Sequence, residues 1–324
     1  MSENKSENLE NNENIVNAEA ATTAPAEQPA DKPKKLKRHF WIWPLVLGSI
    51  LLTAGEIIGF IMTIPVELII KPSAMWQFTL EYAMFIGIII VMLIFCAICE
   101  KRIFKCFFPA VKGGLPGNSI KDLLIGLLIG FLMNGSCILA AWLHGDIHFS
   151  VGKFLPVYLI VTFFAVMIQS SAEEMVTRGY IYLAHSERYP AWVAISANAV
   201  FFAAMHLMNP GITVVSFLEL LLSGLAFSMI VYSRQSLWMA YGVHTMWNFT
   251  QSILFGLPNS GIVSEGSFLH LEAASDSFFY DTGFGVEGTI FSLFTEIAVI
   301  AWCIWSLKKQ GRKLDLKQVN VHNL

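Results

Sequence analysis

Apolar residues form eight runs along this chain, each about 20 residues long, which short polar or charged segments separate. A bilayer core about 30 Å thick is crossed by about 20 residues of α-helix. The pattern therefore predicts eight membrane-spanning helices. They lie near residues 41–64, 76–98, 122–143, 155–178, 190–208, 212–232, 236–256 and 288–307.

The composition agrees with this pattern. Of the 324 residues, 55% are hydrophobic and 14% are charged, and the mean hydropathy is +0.58. A soluble domain of this size is less apolar. We therefore predict an all-α membrane protein, a polytopic bundle of about eight transmembrane helices.

The chain divides into three parts by composition. Residues 1–38 are rich in Glu, Asn and Ala, and such a segment buries too little apolar surface to fold. We predict a disordered cytoplasmic tail there, a transmembrane helical domain over 39–308, and a basic C-terminal tail over 309–324.

Basic residues fall on one side of the membrane if eight spans are correct. Under the positive-inside rule this side is the cytoplasm. We thus expect a multi-pass protein of the cell membrane with both termini cytoplasmic and the acidic loop from Pro258 to Glu287 outside. The basic residues are Lys34, Lys35, Lys37 and Arg38, then Lys101, Arg102, Lys105, Lys112 and Lys121, and finally Lys308, Lys309, Arg312 and Lys313.

Charged residues occur where they are costly, in the segment "EEMVTR" at 173–178. An ionised side chain inside a bilayer costs roughly 2.5–3.5 kcal/mol even on insertion scales. Glu174 and Arg178 are four residues apart, which favours an ion pair on one helix face. Glu173 lies about 100° around the helix from Glu174, so it needs a different partner.

Two further helices carry polar residues at a spacing of four, Phe202 with His206 and His244 with Asn248. Each pair shares one helix face. Glu173 and His206 are about equally far from the expected turn at 187–190, so an antiparallel hairpin places them level. His206 is also close to the next turn, which predicts a cavity or a locally thinned bilayer. A packed, hydrogen-bonded histidine is the alternative reading of each His.

Gly126 and Gly130 form a G-x-x-x-G motif in the third predicted span. Such a motif lets two helix backbones approach closely. We expect it to serve packing within this chain rather than dimerisation.

The ordered motifs E-E-x-x-x-R at 173–178, F-x-x-x-H at 202–206 and H-x-x-x-N at 244–248 resemble the CPBP family of intramembrane proteases. That family includes type II CAAX prenyl endopeptidases and bacterial proteins, often called Abi proteins, that are linked to bacteriocin processing or self-immunity. The resemblance covers about residues 155–255, which would be the protease-like core. It implies an intramembrane endopeptidase that acts on a peptide or membrane-anchored protein.

The resemblance also implies roles for individual residues. Glu173 would be the general base and His206 would help to hold the water, while His244 and Asn248 would face the developing oxyanion. The catalytic residues would be held in position by Glu174, Arg178 and Phe202, which would not contact the substrate themselves. These are the parts that peptide hydrolysis requires.

A metal-dependent site is an open alternative. Glu173, His206 and His244 would be the three ligands of a zinc ion with water in the fourth position, although no dedicated zinc spacing such as H-E-x-x-H is present. Nothing in the sequence points to nucleic acid, and no feature indicates an oligomeric state.

Two other function classes compete with proteolysis. A non-catalytic immunity or scaffold protein would use the same polar cluster only to fix helix packing. A transporter would use intramembrane carboxyls as a proton relay, and Glu56, Glu81, Glu219 and Glu296 are further acidic residues in or near spans. The lack of an internal sequence repeat counts against transport.

Overall fold

The computed structural model describes residues 40–109, 112–319 and 322, and these are mostly helical. The expected all-α polytopic bundle is confirmed, and the predicted disordered tail over 1–38 lies outside the described residues. The helices are α1 (Trp43–Ile70), α2 (Ala74–Ala83), α3 (Ile86–Cys99), α4 (Lys101–Lys105), α5 (Ile120–His144), α6 (Pro156–Glu174), α7 (Leu183–Ser186), α8 (Ala191–Met205), α9 (Val214–Arg234), α10 (Leu237–Phe249) and α11 (Ile290–Lys309). π-helical segments cover Met175–Tyr182 and Thr250–Leu254, Val286–Gly288 is a 3₁₀ turn, and the strands are β1 (Ile147–Val151) and β2 (Leu269–Ala274).

Six helical segments within the described ranges are long and apolar enough to cross a membrane. The two other predicted spans are helical as well, but they are not full-length apolar crossings. The α8 helix has 15 residues, about 22 Å at 1.5 Å per residue, and α10 carries polar residues and is buried along almost its whole length. The six segments are Trp43–Ile70, Ala74–Cys99, Ile120–His144, Pro156–Ser186, Val214–Arg234 and Ile290–Lys309.

The α10 helix lies at the centre of the bundle, where it packs against α5 and α6. A Cβ atom at Gly126 would clash with the carbonyl oxygen of Met239, and one at Gly130 would clash with that of Val243. The predicted G-x-x-x-G packing within the chain is therefore confirmed. The two glycines of α5 let the backbone of α10 approach closely.

The turns around the polar helices lie where the sequence predicts them. The long helix ending at Ser186 is followed by Pro190, which precedes α8. Gln235 has a φ of 50° between α9 and α10, and the Ser236 side chain caps α10 by accepting a hydrogen bond from the amide of Met239. These turns determine how far along its helix axis each site residue lies relative to the others.

The loop from Pro258 to Glu287, named the outer loop for its predicted side of the membrane, is an ordered part of the fold. Its strand β2 pairs antiparallel with β1, which follows α5, and the register shifts between His148 and Phe149. The sequence does not predict these strands, because they pair across more than 100 residues and each has the composition of a loop.

The segment after α11 packs on the bundle. The amides of Ala191 and Trp192, in the first turn of α8, donate to the carbonyl oxygens of Gln318 and Leu316 at 2.9 and 3.1 Å. Helix N-termini leave such amides without intrahelical partners. The C-terminal segment therefore completes the start of α8.

Candidate active site

Two of the three regions that carry the polar residues depart from regular α-helix. Glu173 and Glu174 are the last residues of α6, and Arg178 lies in the π-helical segment that follows. Asn248 comes near the end of α10, just before the second π-helical segment. Single π-helical turns are often found at functional sites because the extra residue changes the direction of the side chains.

The predicted ion pair between Glu174 and Arg178 is present. Arg178 Nη1 lies 2.7 Å from Glu174 Oε1, and both side chains are fully buried. The guanidinium also lies 4.3 Å from the ring centre of Phe202 and 5.1 Å from that of Phe227. A buried guanidinium with a carboxylate and two ring faces is held in one position.

Glu173 has a different environment from Glu174. Gln169 Nε2 donates to Glu173 Oε1 at 2.5 Å, whereas Glu173 Oε2 has no hydrogen-bond donor among the described residues. The residue is only 7% exposed. The free oxygen is 3.8 Å from His244 Nε2.

His244 lies between the two carboxylates. Its Nδ1 atom is 3.1 Å from Glu174 Oε1. An ionised carboxylate only accepts hydrogen bonds, so Nδ1 carries the proton and donates to Glu174. Nε2 is then left for Glu173 and the cavity, as a lone pair in the neutral ring or as a donor in the protonated ring.

Asn248 joins the same network through a residue that the sequence analysis missed. Asn248 Nδ2 donates to Gln169 Oε1 at 3.1 Å, and Gln169 in turn donates to Glu173. The available signal was a glutamine one helical turn before Glu173 in an otherwise apolar run. Gln169 therefore connects the predicted base to the predicted oxyanion donor.

His206 lies outside this network. It is half-buried at the end of α8, and its Nδ1 is 2.9 Å from the carbonyl oxygen of Phe202. In the part of the chain that the structure describes, it makes no hydrogen bond or ion pair with Glu173 or His244. It does line the same cavity.

A cavity of about 410 Å³ brings these residues together, as the position of His206 near a turn predicted. Glu173, His206, His244, Asn248 and Phe202 all line it. The outer loop closes one side, where Asn259, Ser260, Ile262 and Glu287 contribute to the wall.

Glu287 fixes this loop wall, which the sequence analysis did not foresee. One carboxylate oxygen accepts from Trp247 Nε1 at 2.7 Å, and the other accepts from the amide and hydroxyl of Ser260 at 2.7 and 2.8 Å. Burial raises the pKa of Glu287, and these hydrogen bonds and the nearby His206 oppose that rise.

The predicted zinc ligands do not come together as a set. Glu173, His206 and His244 line one cavity, but no three His, Cys, Asp or Glu side chains within residues 40–109, 112–319 and 322 form a group that could hold a metal ion. Carboxylate and imidazole are donor types that zinc binds. Zinc binding stays a prediction.

Comparison with protein families places the motifs in one segment. Residues 152–250 resemble the type II CAAX prenyl endopeptidases, Rce1-like. The match covers 99 of the 324 residues, and it includes Gln169 and all the predicted site residues. The resemblance to CPBP intramembrane proteases is therefore confirmed over this segment.

This Rce1-like match supports a protease in general, with a peptide or protein substrate and a membrane environment. The apolar helices agree with a multi-pass membrane protein. No curated protein sequence matched the chain.

Proposed function

We propose that this protein is an intramembrane endopeptidase in which Glu173 acts as the general base. One observation carries the proposal: Glu173 Oε2 is buried, lacks a donor among the described residues and lies beside His244 Nε2 on the cavity wall. A water molecule placed beside these two atoms would be within hydrogen-bond reach of both, which is the geometry that a general base requires.

The reaction follows from these groups. Glu173 takes a proton from the water while the water oxygen attacks the peptide carbonyl carbon. The carbonyl oxygen becomes an oxyanion, and donors fixed in advance near that oxygen lower the barrier. Glu173 then passes its proton to the nitrogen of the leaving amine as the C–N bond breaks, and a new carboxyl and a new amine result.

Asn248 and His244 are the proposed oxyanion donors. The Asn248 amide has two N–H bonds, and Gln169 takes one of them, so the other is available to the cavity. His244 would donate from Nε2 when both ring nitrogens carry hydrogen, with Glu174 Oε1 accepting from Nδ1. His206 is proposed to bind substrate or water from the other side of the cavity.

Bacteriocin processing or self-immunity and cytoplasmic termini are part of the same proposal. They are supported by the motif resemblance and by the basic residues at both ends of the chain. Labelling of single cysteines placed near residues 35 and 315 with a membrane-impermeant maleimide tests the orientation. Labelling in intact cells would contradict it.

Purified protein in lipid nanodiscs, incubated with a peptide mixture and analysed by mass spectrometry, tests the activity. We expect the wild type to cleave and Glu173→Gln to be inactive while its thermal unfolding stays close to wild type. Glu67→Gln is the matched control, since Glu67 is in a membrane helix away from the cavity. Undiminished turnover in Glu173→Gln would refute the assigned role, and loss of wild-type turnover with a chelator would favour the metal-dependent alternative.

A further inference from the structure

The cavity that holds the proposed catalytic residues is strongly acidic. Five glutamates line it, and no lysine or arginine does so among the described residues. Glu81 is exposed and Glu56 is half-buried, which places both at the open rim, whereas the other three are buried. The five are Glu56, Glu81, Glu173, Glu219 and Glu287.

Among the three buried glutamates, Glu219 belongs neither to the catalytic network nor to the loop wall. It lies in α9 and is 1% exposed. The contact to its carboxylate within the described residues is one hydrogen bond from Ser223 Oγ, 3.2 Å from Oε1. No ion pair to Lys, Arg or His reaches it in the part of the chain that the structure describes.

A second buried carboxyl lies directly behind. Ser223 Oγ is also 3.0 Å from Glu296 Oε1, and Glu296 is 1% exposed with no donor to its Oε2 among the described residues. A hydroxyl has one hydrogen, so Ser223 donates to only one of the two carboxyls at a time. Two buried acids therefore share a single neutral donor.

Buried carboxylates without a cation are costly, and a positive charge brought beside them stabilises the ionised form. The Arg178 guanidinium is paired with Glu174, is fully buried and does not line the cavity. A cationic group of a ligand in the cavity would supply the charge that Glu219 lacks.

The surroundings of Glu219 suit a long basic side chain. Leu220, Phe202 and Phe227 line the same cavity, and the methylene stems of Lys and Arg pack well on such apolar surface while the charged end reaches a carboxylate. The rim carboxylates Glu56 and Glu81 would attract a cationic substrate on its way in.

We propose that Glu219, supported by Ser223 and Glu296, forms a subsite that binds a Lys or Arg side chain of the substrate near the bond to be cleaved. This inference rests on the proposed protease function and names the class of substrate. It also gives a role to all four acidic residues, Glu56, Glu81, Glu219 and Glu296, that would otherwise suggest a proton relay.

Peptide profiling tests the subsite. Wild type, Glu219→Gln, Glu219→Lys and Glu219→Asp in nanodiscs are each incubated with a mixture of peptides of random sequence, and the cleaved bonds are read by mass spectrometry. We expect wild type to prefer Lys or Arg over norleucine by roughly tenfold at one fixed distance from the cleaved bond. Glu219→Gln should lose the preference, Glu219→Lys should turn it toward Asp and Glu, and Glu219→Asp and the control Glu67→Gln should keep it.

Cleavage by the wild type without a basic preference, or a preference that survives Glu219→Gln, would overturn the subsite and leave the proposed function intact. A wild type that cleaves nothing would count against the proposed function, and binding then decides the subsite separately. Fluorescence anisotropy with Glu173→Gln protein compares fluorescein-labelled Leu-Lys-Leu with its norleucine counterpart. We expect the lysine peptide to bind roughly tenfold more tightly only while Glu219 is present, and equal affinities would reject the subsite.

Discussion

The Nδ1 atom of His244 lies 3.1 Å from Oε1 of Glu174. The same carboxylate oxygen also accepts a hydrogen bond from Arg178 at 2.7 Å. The two adjacent glutamates are not equivalent. Glu174 binds a guanidinium and an imidazole through Oε1, and among the described residues each glutamate has an Oε2 without a donor, but only Glu173 lines the cavity. We infer that Glu174 positions His244 and that Glu173 is left for chemistry.

Glu174→Gln should impair both activity and stability. Without the carboxylate, Arg178 is left as a buried charge with no ionic partner, which costs about 3–5 kcal/mol. The neutral amide oxygen of glutamine is also a weaker acceptor for His244 Nδ1 than the carboxylate. We expect turnover to fall by roughly 10²-fold. Thermal unfolding in detergent and peptide cleavage measure the two effects.

The double variant Glu174→Gln, Arg178→Met separates them. Removal of both charges should restore much of the stability because no unpaired ion remains, while activity should stay low because His244 still lacks the carboxylate beside Nδ1. Full activity in either variant would show that Glu174 does not position His244.

Gly126→Ala should destabilise the bundle. The added Cβ would meet the backbone carbonyl of Met239 rather than a movable side chain, so α5 and α10 must separate, at a cost of about 1–3 kcal/mol for overpacking. Gly135→Ala is the matched control in the same helix, since no atom lies within 4 Å of a Cβ at Gly135. We expect the control to unfold at or above the wild-type temperature, and equal melting of the two variants would contradict this packing.

Most of the helices and the Glu174–Arg178 ion pair could be predicted from the sequence, because both depend on local spacing. Apolar runs give the helices, and a separation of four residues gives the Glu174–Arg178 pair. Gln169 was missed, since one glutamine in an apolar helix has no distinctive spacing of its own.

The remaining features depend on contacts between distant residues. Ile147 pairs with Ala274 in the sheet, and Glu287 anchors Trp247 across 40 residues. Neither pairing leaves a periodic signal in either segment. The convergence of Glu219 with Glu296 is equally invisible, because each reads as a lone acidic residue in its own span.

Glu287→Gln should loosen the outer wall of the cavity. Glutamine replaces one carboxylate oxygen with an N–H₂ group, so it cannot accept from both Trp247 and Ser260, and hydrogen bonds to charged groups contribute about 1.5–3 kcal/mol each. We expect faster hydrogen exchange over residues 258–262 and reduced turnover. Glu265→Gln is the control in an exposed part of the same loop, and identical exchange in the two variants would argue against this anchor.

His322 should make the C-terminal segment sensitive to acid. Its Nε2 lies 3.1 Å from the hydroxyl of Tyr182, and burial together with the charge of Arg312 lowers the pKa of His322 to about 3. The unfolded chain, with a histidine pKa near 6.5, binds the proton more readily than the folded one. The stabilisation is therefore complete above about pH 6.5 and is lost as the pH falls, by roughly 1.4 kcal/mol for each pH unit.

Thermal unfolding between pH 7.5 and 5 checks this dependence. Wild type and the exposed-histidine control His148→Gln should lose stability together on acidification, whereas His322→Gln should start lower at pH 7.5 and change less. The C-terminal carbonyls of Leu316 and Gln318 cap the first turn of α8, so exchange of the Ala191 and Trp192 amides should rise in wild type over the same interval. If His322→Gln and wild type lost stability in parallel, the neutral His322 would not be what holds this segment against the bundle.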